Sequence, residues 1–284
     1  MTQNATWDTH VHLFDPRVFP FAHQRSYTPG DASVPDLLGI MAAGNIDRAV
    51  VVQPSVYGSD NTCLLKALDT LGDRARGVAV ADPATLDHAT IAEMRASGVR
   101  GFRVNLVSGA EVDAGAHAVQ AMASALAGSG MFLQIYAPID AVLRHVELIT
   151  HAGVPVVLDH FAGIGAQAPE SNLIDLLQKC DSEPVWIKMS ADYKLGATPE
   201  SARTRAISLI RACVALRPDH IIWGSDWPHT SGGPERKTRA FGEIEPFRNV
   251  DSHAIPRLFS ACGVTPEQIQ NIMCHNPARL FDGQ

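Results

Sequence analysis

No stretch of the 284-residue chain reaches the ~18 consecutive apolar residues that a membrane-spanning helix needs, so no transmembrane helix is expected. The first residues, Met1 to Trp7, lack a basic region followed by an apolar one, so no secretory signal is read there and the cytoplasm is the expected location. Cysteine is scarce and scattered: Cys63, Cys180, Cys213, Cys262 and Cys274 are odd in number and form no CxxC pair. They read as reduced thiols, not as a disulfide framework. Basic residues are outnumbered, 23 Lys and Arg against 30 Asp and Glu, for a formal charge of −7. Such a chain has no general attraction for a polyanion, which argues against nucleic acid as a partner. It leaves a small anionic ligand open, because that ligand feels its pocket more than the net charge. There is no low-complexity tract, no linker and no internal repeat, and no GxGxxG or GxxxxGK[ST] loop follows any apolar run.

What is present is a regular alternation. Hydrophobic residues make up 46% and charged residues 19%, a globular balance. Eight short apolar runs read as strands: Ala5–His12, Arg48–Gln53, Gly77–Ala81, Val99–Val104, Met131–Tyr136, Val154–Asp159, Val185–Met189 and His220–Gly224. Most are near-continuous in apolar residues, as strands buried on both faces should be. Helical patterns separate them. Ser201 to Leu216 is the clearest, with Ile207, Ile210 and Val214 on one stripe. Gly98 and Gly153 stand where a helix should stop before the next strand, and Thr265-Pro266-Glu267 reads as a helix start. This count and alternation predict one (β/α)8 barrel of the TIM type, a single α/β domain over residues 1–284. An open doubly wound sheet is the competitor, and the missing phosphate loops count against it.

In a parallel barrel the chemistry gathers at the C-terminal strand ends. The first strand ends Asp8-Thr9-His10-Val11-His12, and residues two apart point the same way, so His10 and His12 project together into the mouth. Two imidazoles on one face could bind a metal, polarise a carbonyl or simply hydrogen-bond in the core. The sixth strand is an apolar run that ends Asp159-His160, a tip with no packing need for those residues. Asp159 reads as a partner of His160 or as a polar cap and is left outside the site. The eighth ends Gly224-Ser225-Asp226-Trp227-Pro228-His229. A desolvated Asp226 beside histidines suits a general base for water, whereas Asp before Trp-Pro is also ordinary turn chemistry. Arg103 lies on a strand among Gly, Phe and Val, and a buried Arg needs a partner. A ligand carboxylate or an internal bridge to Asp82 or Glu93 would serve. Lys188, inside the seventh strand, could pair with a carboxylate in the barrel.

Taken together, HxH on strand one, His on strand six and Asp on strand eight resemble the amidohydrolase superfamily. More narrowly, the chain is similar to its lactonase branch, which includes the 2-pyrone-4,6-dicarboxylate lactonases. The likeness runs from Trp7 to Phe281 and rests on Asp8–His12, Tyr27-Thr28-Pro29, Val52-Gln53-Pro54-Ser55, Gly58–Asn61, Arg76–Val80, Val99–Asn105, Asp159-His160, Trp223–His229 and Asn276–Leu280. The resemblance implies a cytoplasmic hydrolase of aromatic degradation that opens a lactone ring. Asp226 would act as base, with His10, His12 and His160 around the carbonyl. Tyr27, Ser55, Arg103 and Tyr136 would contact substrate, and Lys194 would stand where the branch has an arginine. The branch also places a basic pair after its fourth strand, whereas this chain has Leu106-Val107-Ser108-Gly109-Ala110. Lys cannot form the planar fork of Arg. Substrates like 2-pyrone-4,6-dicarboxylate, like muconolactone or like a sugar-acid lactone are therefore all implied.

The relatives in this branch work without metal, so no cofactor is the expectation, with one Zn²⁺ held by His10, His12, His160 and Asp226 as the alternative. Strands four and five offer no bridging Lys or Glu, which argues against a binuclear centre. A zinc-dependent decarboxylase of the same superfamily and a non-catalytic ligand-binding barrel are the competing functions. The expected partner is a small anionic lactone, and a homo-oligomer is compatible with the sequence.

Overall fold

A computed structural model describes residues 5–107, 112–181, 183–230, 236 and 238–283, and for 112–114 the backbone alone. Eight parallel strands form one sheet in sequential order. They are β1 Trp7–Val11, β2 Arg48–Val52, β3 Ala75–Ala79 and β4 Val99–Asn105, followed by β5 Phe132–Tyr136, β6 Val156–Leu158, β7 Val185–Met189 and β8 Ile221–Trp223. Every one overlaps an expected strand. Helices follow the strands and cover the outside, as the (β/α)8 expectation required. Val, Ile and Leu dominate the strands because both faces are buried, one by the helices and one by the barrel interior. A separate parallel pair, Ile244–Glu245 against Thr28-Pro29, was not foreseen and lies in the loops.

The barrel closes between β1 and the segment after β8. Thr9 Oγ1 donates to the Trp223 carbonyl at 2.6 Å, Asp226 N to His10 O at 2.9 Å and His12 N to Trp227 O at 2.8 Å. Gly224 is required there. A Cβ on it would lie 2.5 Å from His10 Cβ and 2.7 Å from His10 N, so only glycine lets the two chains approach this closely.

The interior is filled in layers. Toward the N-terminal ends, Trp7, Val50, Val78, Phe132, Val157, Trp186, Ile222 and Phe281 form an apolar plug. Phe281 belongs to the C-terminal helix Asn276–Asp282 and stacks on Trp7 with ring centroids 5.6 Å apart. Asn276, at the start of that helix, donates to the carbonyls of Pro218 and Ile221, a structural role. Above the plug the inward side chains turn polar: Arg103, Gln134 and Lys188, then His10, His12 and Ser190, all buried. In β1 the ladder shifts register between Asp8 and Val11. The bulge explains how Trp7 faces the plug while His10, three residues on, also faces inward.

Predicted helix signals are present where expected. Ser201–Leu216 lies within a helix Pro199–Leu216, capped by Thr198, and Thr265 caps the helix that starts at Pro266. Gly98 and Gly153 adopt φ of 96° and 73°, the left-handed stop. Among the described residues, no helix is long and apolar enough to cross a membrane. The five cysteines are free and buried.

Candidate active site

The strand ends bring His10, His12, His160 and Asp226 together around one carboxylate oxygen. Asp226 Oδ1 lies 3.5 Å from His10 Nε2, 3.6 Å from His12 Nε2 and 4.0 Å from His160 Nε2. Two of these residues owe their position to unusual backbone. Asp226 has φ 63°, and His160, Phe161 and Ala162 form a left-handed turn with φ of 51–55°. Left-handed conformations of non-glycine residues cost of order 1–2 kcal/mol each and persist where packing enforces them. Here that turn is wholly buried, and Gly163 closes it against the Ala137 carbonyl where no Cβ would fit.

The second carboxylate oxygen of Asp226 faces donors. Tyr193 Oη donates to Oδ2 at 2.5 Å, and Lys194 Nζ is 3.6 Å away. Burial by itself would raise the Asp226 pKa. The charge of Lys194 and the contacts with His160, His12 and His10 outweigh that and hold it well below the usual carboxylate range. Burial and the Asp226 charge push Tyr193 well above an ordinary phenol, so it remains a donor. His10 is driven down to about 3 by burial and by Lys188, and His160 well below its ordinary value by burial and Lys194. Both are neutral at physiological pH. His12 donates from Nδ1 to the Val52 carbonyl at 2.8 Å, and His160 Nδ1 lies 2.7 Å from Ser190 Oγ.

Tyr136 packs edge-on against His160 at 4.8 Å and under Lys194 at 5.1 Å. Tyr27 is hydrogen-bonded to Ser55 and is pushed up to about 12, mainly by burial. Arg236 lies 4.0 Å over its ring while forking onto Glu245. Ser55 also begins a 3-10 turn, Ser55–Tyr57. Lys194 keeps about a third of its side chain exposed (35%), which places a cation at the opening. Arg103 requires a correction. It pairs with neither Asp82 nor Glu93: Nε and Nη2 both bond Asp159 Oδ2, at 3.0 and 2.9 Å. That edge of the guanidinium is committed inside the protein.

Asp159 is the residue that sequence reasoning left out. It is fully buried and stands within 3.3 Å of Arg103, Gln134, Lys188 and His10. Burial alone would raise its pKa, but the charges of Lys188 and Arg103 hold it well below the ordinary value. Two unexplained charges inside apolar strands, Arg103 and Lys188, were the available sign that a buried acid must face them. Tyr193 and Arg236 gave no sequence signal, because a loop tyrosine or arginine is unremarkable. His229, unassigned from sequence, lies 3.3 Å from Ser252 Oγ and 6.0 Å from the Tyr193 ring, so it supports Tyr193. The stretch Leu106–Ala110, where a basic pair is missing, lies partly outside the described residues.

His10 Nε2, His12 Nε2 and Asp226 Oδ1 are mutually 3.3–3.6 Å apart. Ligands at about 2.0–2.2 Å from a tetrahedral Zn²⁺ are separated by roughly 3.3–3.6 Å, so the spacing of this donor set fits one divalent ion.

An eight-stranded parallel barrel with HxH, His and Asp at strands one, six and eight defines the class of protein. The amidohydrolase family model matches residues 7–283, and the chain belongs to that family. It is 28% identical to the 4-sulfomuconolactone hydrolase of Rhizobium radiobacter, over 98% of this chain and 90% of that one. It is 29% identical to the 2-pyrone-4,6-dicarboxylate hydrolase of Comamonas testosteroni, over 96% and 89%. A solved structure from Pseudomonas putida, itself a proposed 2-pyrone-4,6-dicarboxylic acid hydrolase, superposes with a TM-score of 0.80 at 28% identity over 98% of both chains.

Proposed function

We propose that this protein hydrolyses the lactone ring of a small carboxylated substrate, with Asp226 activating the attacking water. The observation that carries the reading is the single oxygen of Asp226 ringed by three histidines at the barrel mouth. A carboxylate so placed is ionised and close enough to share a water with the carbonyl that the histidines bind. It takes a proton from that water as the oxygen adds to the carbonyl carbon. The tetrahedral oxyanion is held by the imidazole N–H groups of His10 and His160, each worth about 3–4 kcal/mol in comparable sites. The ring C–O bond then breaks, the proton on Asp226 passes to the departing ring oxygen, and a carboxylate and a hydroxyl (or enol) are released. Tyr193 holds Asp226 in orientation. Lys194 at the mouth, beside Tyr136, would receive the substrate carboxylate, with Tyr27, Ser55 and the free edge of Arg103 as further contacts. One point cation suits one carboxylate better than two, so a muconolactone-like or sugar-acid lactone is favoured alongside 2-pyrone-4,6-dicarboxylate. A divalent ion, if bound, would sit on His10, His12 and Asp226 and supply Lewis-acid polarisation of the carbonyl.

The test is ultraviolet-monitored hydrolysis of 2-pyrone-4,6-dicarboxylate and of muconolactone by chelator-treated protein, with Asp226→Asn beside it. Turnover that survives the chelator and disappears in the variant is the expected result. Full activity of Asp226→Asn would end the assignment. The donor spacing also supports a second reading, a zinc-dependent decarboxylase. One bound zinc per chain, with CO₂ release that a chelator abolishes, would establish it instead.

A further inference from the structure

Spacing alone makes His10 a metal ligand, but the hydrogen bonds on the far side of its ring do not. Lys188 Nζ lies 3.2 Å from His10 Nδ1 and donates to it, and it donates also to Gln134 Oε1 at 2.9 Å. Gln134 in turn donates to Asp159 Oδ2 at 3.0 Å. The other oxygen, Asp159 Oδ1, is 3.3 Å from His10 Nδ1 and 3.2 Å from Lys188 Nζ, so the ammonium stands between the ring and both of its acceptors. An ammonium has three protons to give and no lone pair to accept with, so His10 Nδ1 facing Lys188 is an acceptor, while Lys188 and not His10 serves Asp159 Oδ1. A neutral imidazole has one proton, so it resides on Nε2. On that side the nearest acceptors are His12 Nε2 at 3.3 Å and Asp226 Oδ1 at 3.5 Å. His12 already gives its Nδ1 proton to Val52, so its Nε2 is free to accept. The chain of hydrogen bonds runs in one direction without conflict. Metal ligation by His10 Nε2 would move the proton to Nδ1, against the Lys188 ammonium.

We infer that Lys188, buried on β7, is a positioning residue that fixes the proton of His10 on Nε2, and so makes His10 a hydrogen-bond donor to the substrate carbonyl and a poor ligand for a metal. This rests on the hydrolytic reading for what the donated hydrogen bond is used for. The tautomer itself does not depend on it. Without Lys188, Asp159 becomes the natural acceptor of an Nδ1 proton. That would create the carboxylate–histidine arrangement that orients metal-binding imidazoles and changes metal affinity by about 10–100-fold.

Long-range ¹H–¹⁵N spectra of the wild-type protein labelled in histidine read the tautomer directly. An Nε2–H pattern for His10, assigned by its loss in His10→Asn, is expected, and an Nδ1–H pattern overturns the inference. In Lys188→Met the expected result is the opposite tautomer and a Zn²⁺ affinity at least ~10-fold tighter than wild type, read by equilibrium dialysis and elemental analysis. A folded Lys188→Met protein with unchanged tautomer and zinc affinity also overturns it. If that variant does not fold, the wild-type spectrum decides alone. If Asp226→Asn keeps its turnover while His10 shows the Nε2–H pattern, the hydrolytic reading fails and the role of Lys188 stands.

Discussion

The low pKa of Asp226 is bought by Lys194 more than by any other neighbour, because burial acts in the opposite direction. A base must be ionised to work, so the acid limb of kcat/KM should fall below the pH at which an ordinary carboxylate titrates, about 3.9. Replacing Lys194 with Met removes the lowering charge, and the limb should move to higher pH. A pH–rate profile whose acid limb stays put in Lys194→Met would refute this account of the base. Tyr193→Phe removes the 2.5 Å hydrogen bond to the carboxylate. A hydrogen bond to a charged group is worth roughly 1.5–3 kcal/mol, so kcat should drop about 10–100-fold with KM little changed. A steady-state comparison that finds a change in KM alone would place Tyr193 on the substrate instead. The four site residues were readable because each interrupts an apolar strand end, where packing offers no reason for a polar group. Tyr193 was unreadable because it lies in a loop, where any residue is tolerated.

Elements act here through backbone geometry. The bulge in β1 turns His10 inward, the left-handed turn after β6 presents His160, and the contact of Gly224 with His10 joins the ends of the sheet. Gly224→Ala would press a methyl group into the His10 backbone, where neither strand can retreat. Overpacking of this kind costs about 1–3 kcal/mol. A lower urea midpoint together with lost turnover is expected, and a variant with wild-type stability and activity would show that the seam yields. The strands themselves were legible from apolar runs and glycine stops. The bulge and the left-handed turn were not, because each depends on what the neighbouring strand allows and leaves no local pattern.

At the scale of the whole molecule, the N-terminal end of the barrel is tied by Asp282, which receives Arg48 and Arg76 from β2 and β3. The carboxylate is nearly buried, so Asp282→Ala leaves two guanidiniums without their partner. Breaking a buried pair from one side costs about 3–5 kcal/mol, which urea unfolding would show. A loss under about 1 kcal/mol would transfer the closure to the Phe281–Trp7 stack. The whole chain also carries a pH dependence. Burial lowers His10 to about 3, and His220 and His229 to about 4, from an ordinary 6.5. Below pH 6.5 the unfolded chain binds protons that the folded one refuses, so stability should fall as pH drops from 6.5 toward 4. Calorimetry that finds the same Tm at pH 7 and pH 4 would contradict this.

Local sequence was enough for the eight strands, the barrel and the four side chains that meet at its mouth, His10, His12, His160 and Asp226, because burial on both faces and polar strand ends leave a mark in the order of residues. It also placed Lys188 inside a strand, where it pairs with a carboxylate as expected, but it did not say which one. Only the closed barrel decided that. Asp159, Arg103, Lys188, Gln134 and His10 come from β1, β4, β5, β7 and the end of β6, and they meet because ring closure carries five distant segments to one axis. Sequence distance is no guide to such a cluster: each charge is tolerable only because the others surround it.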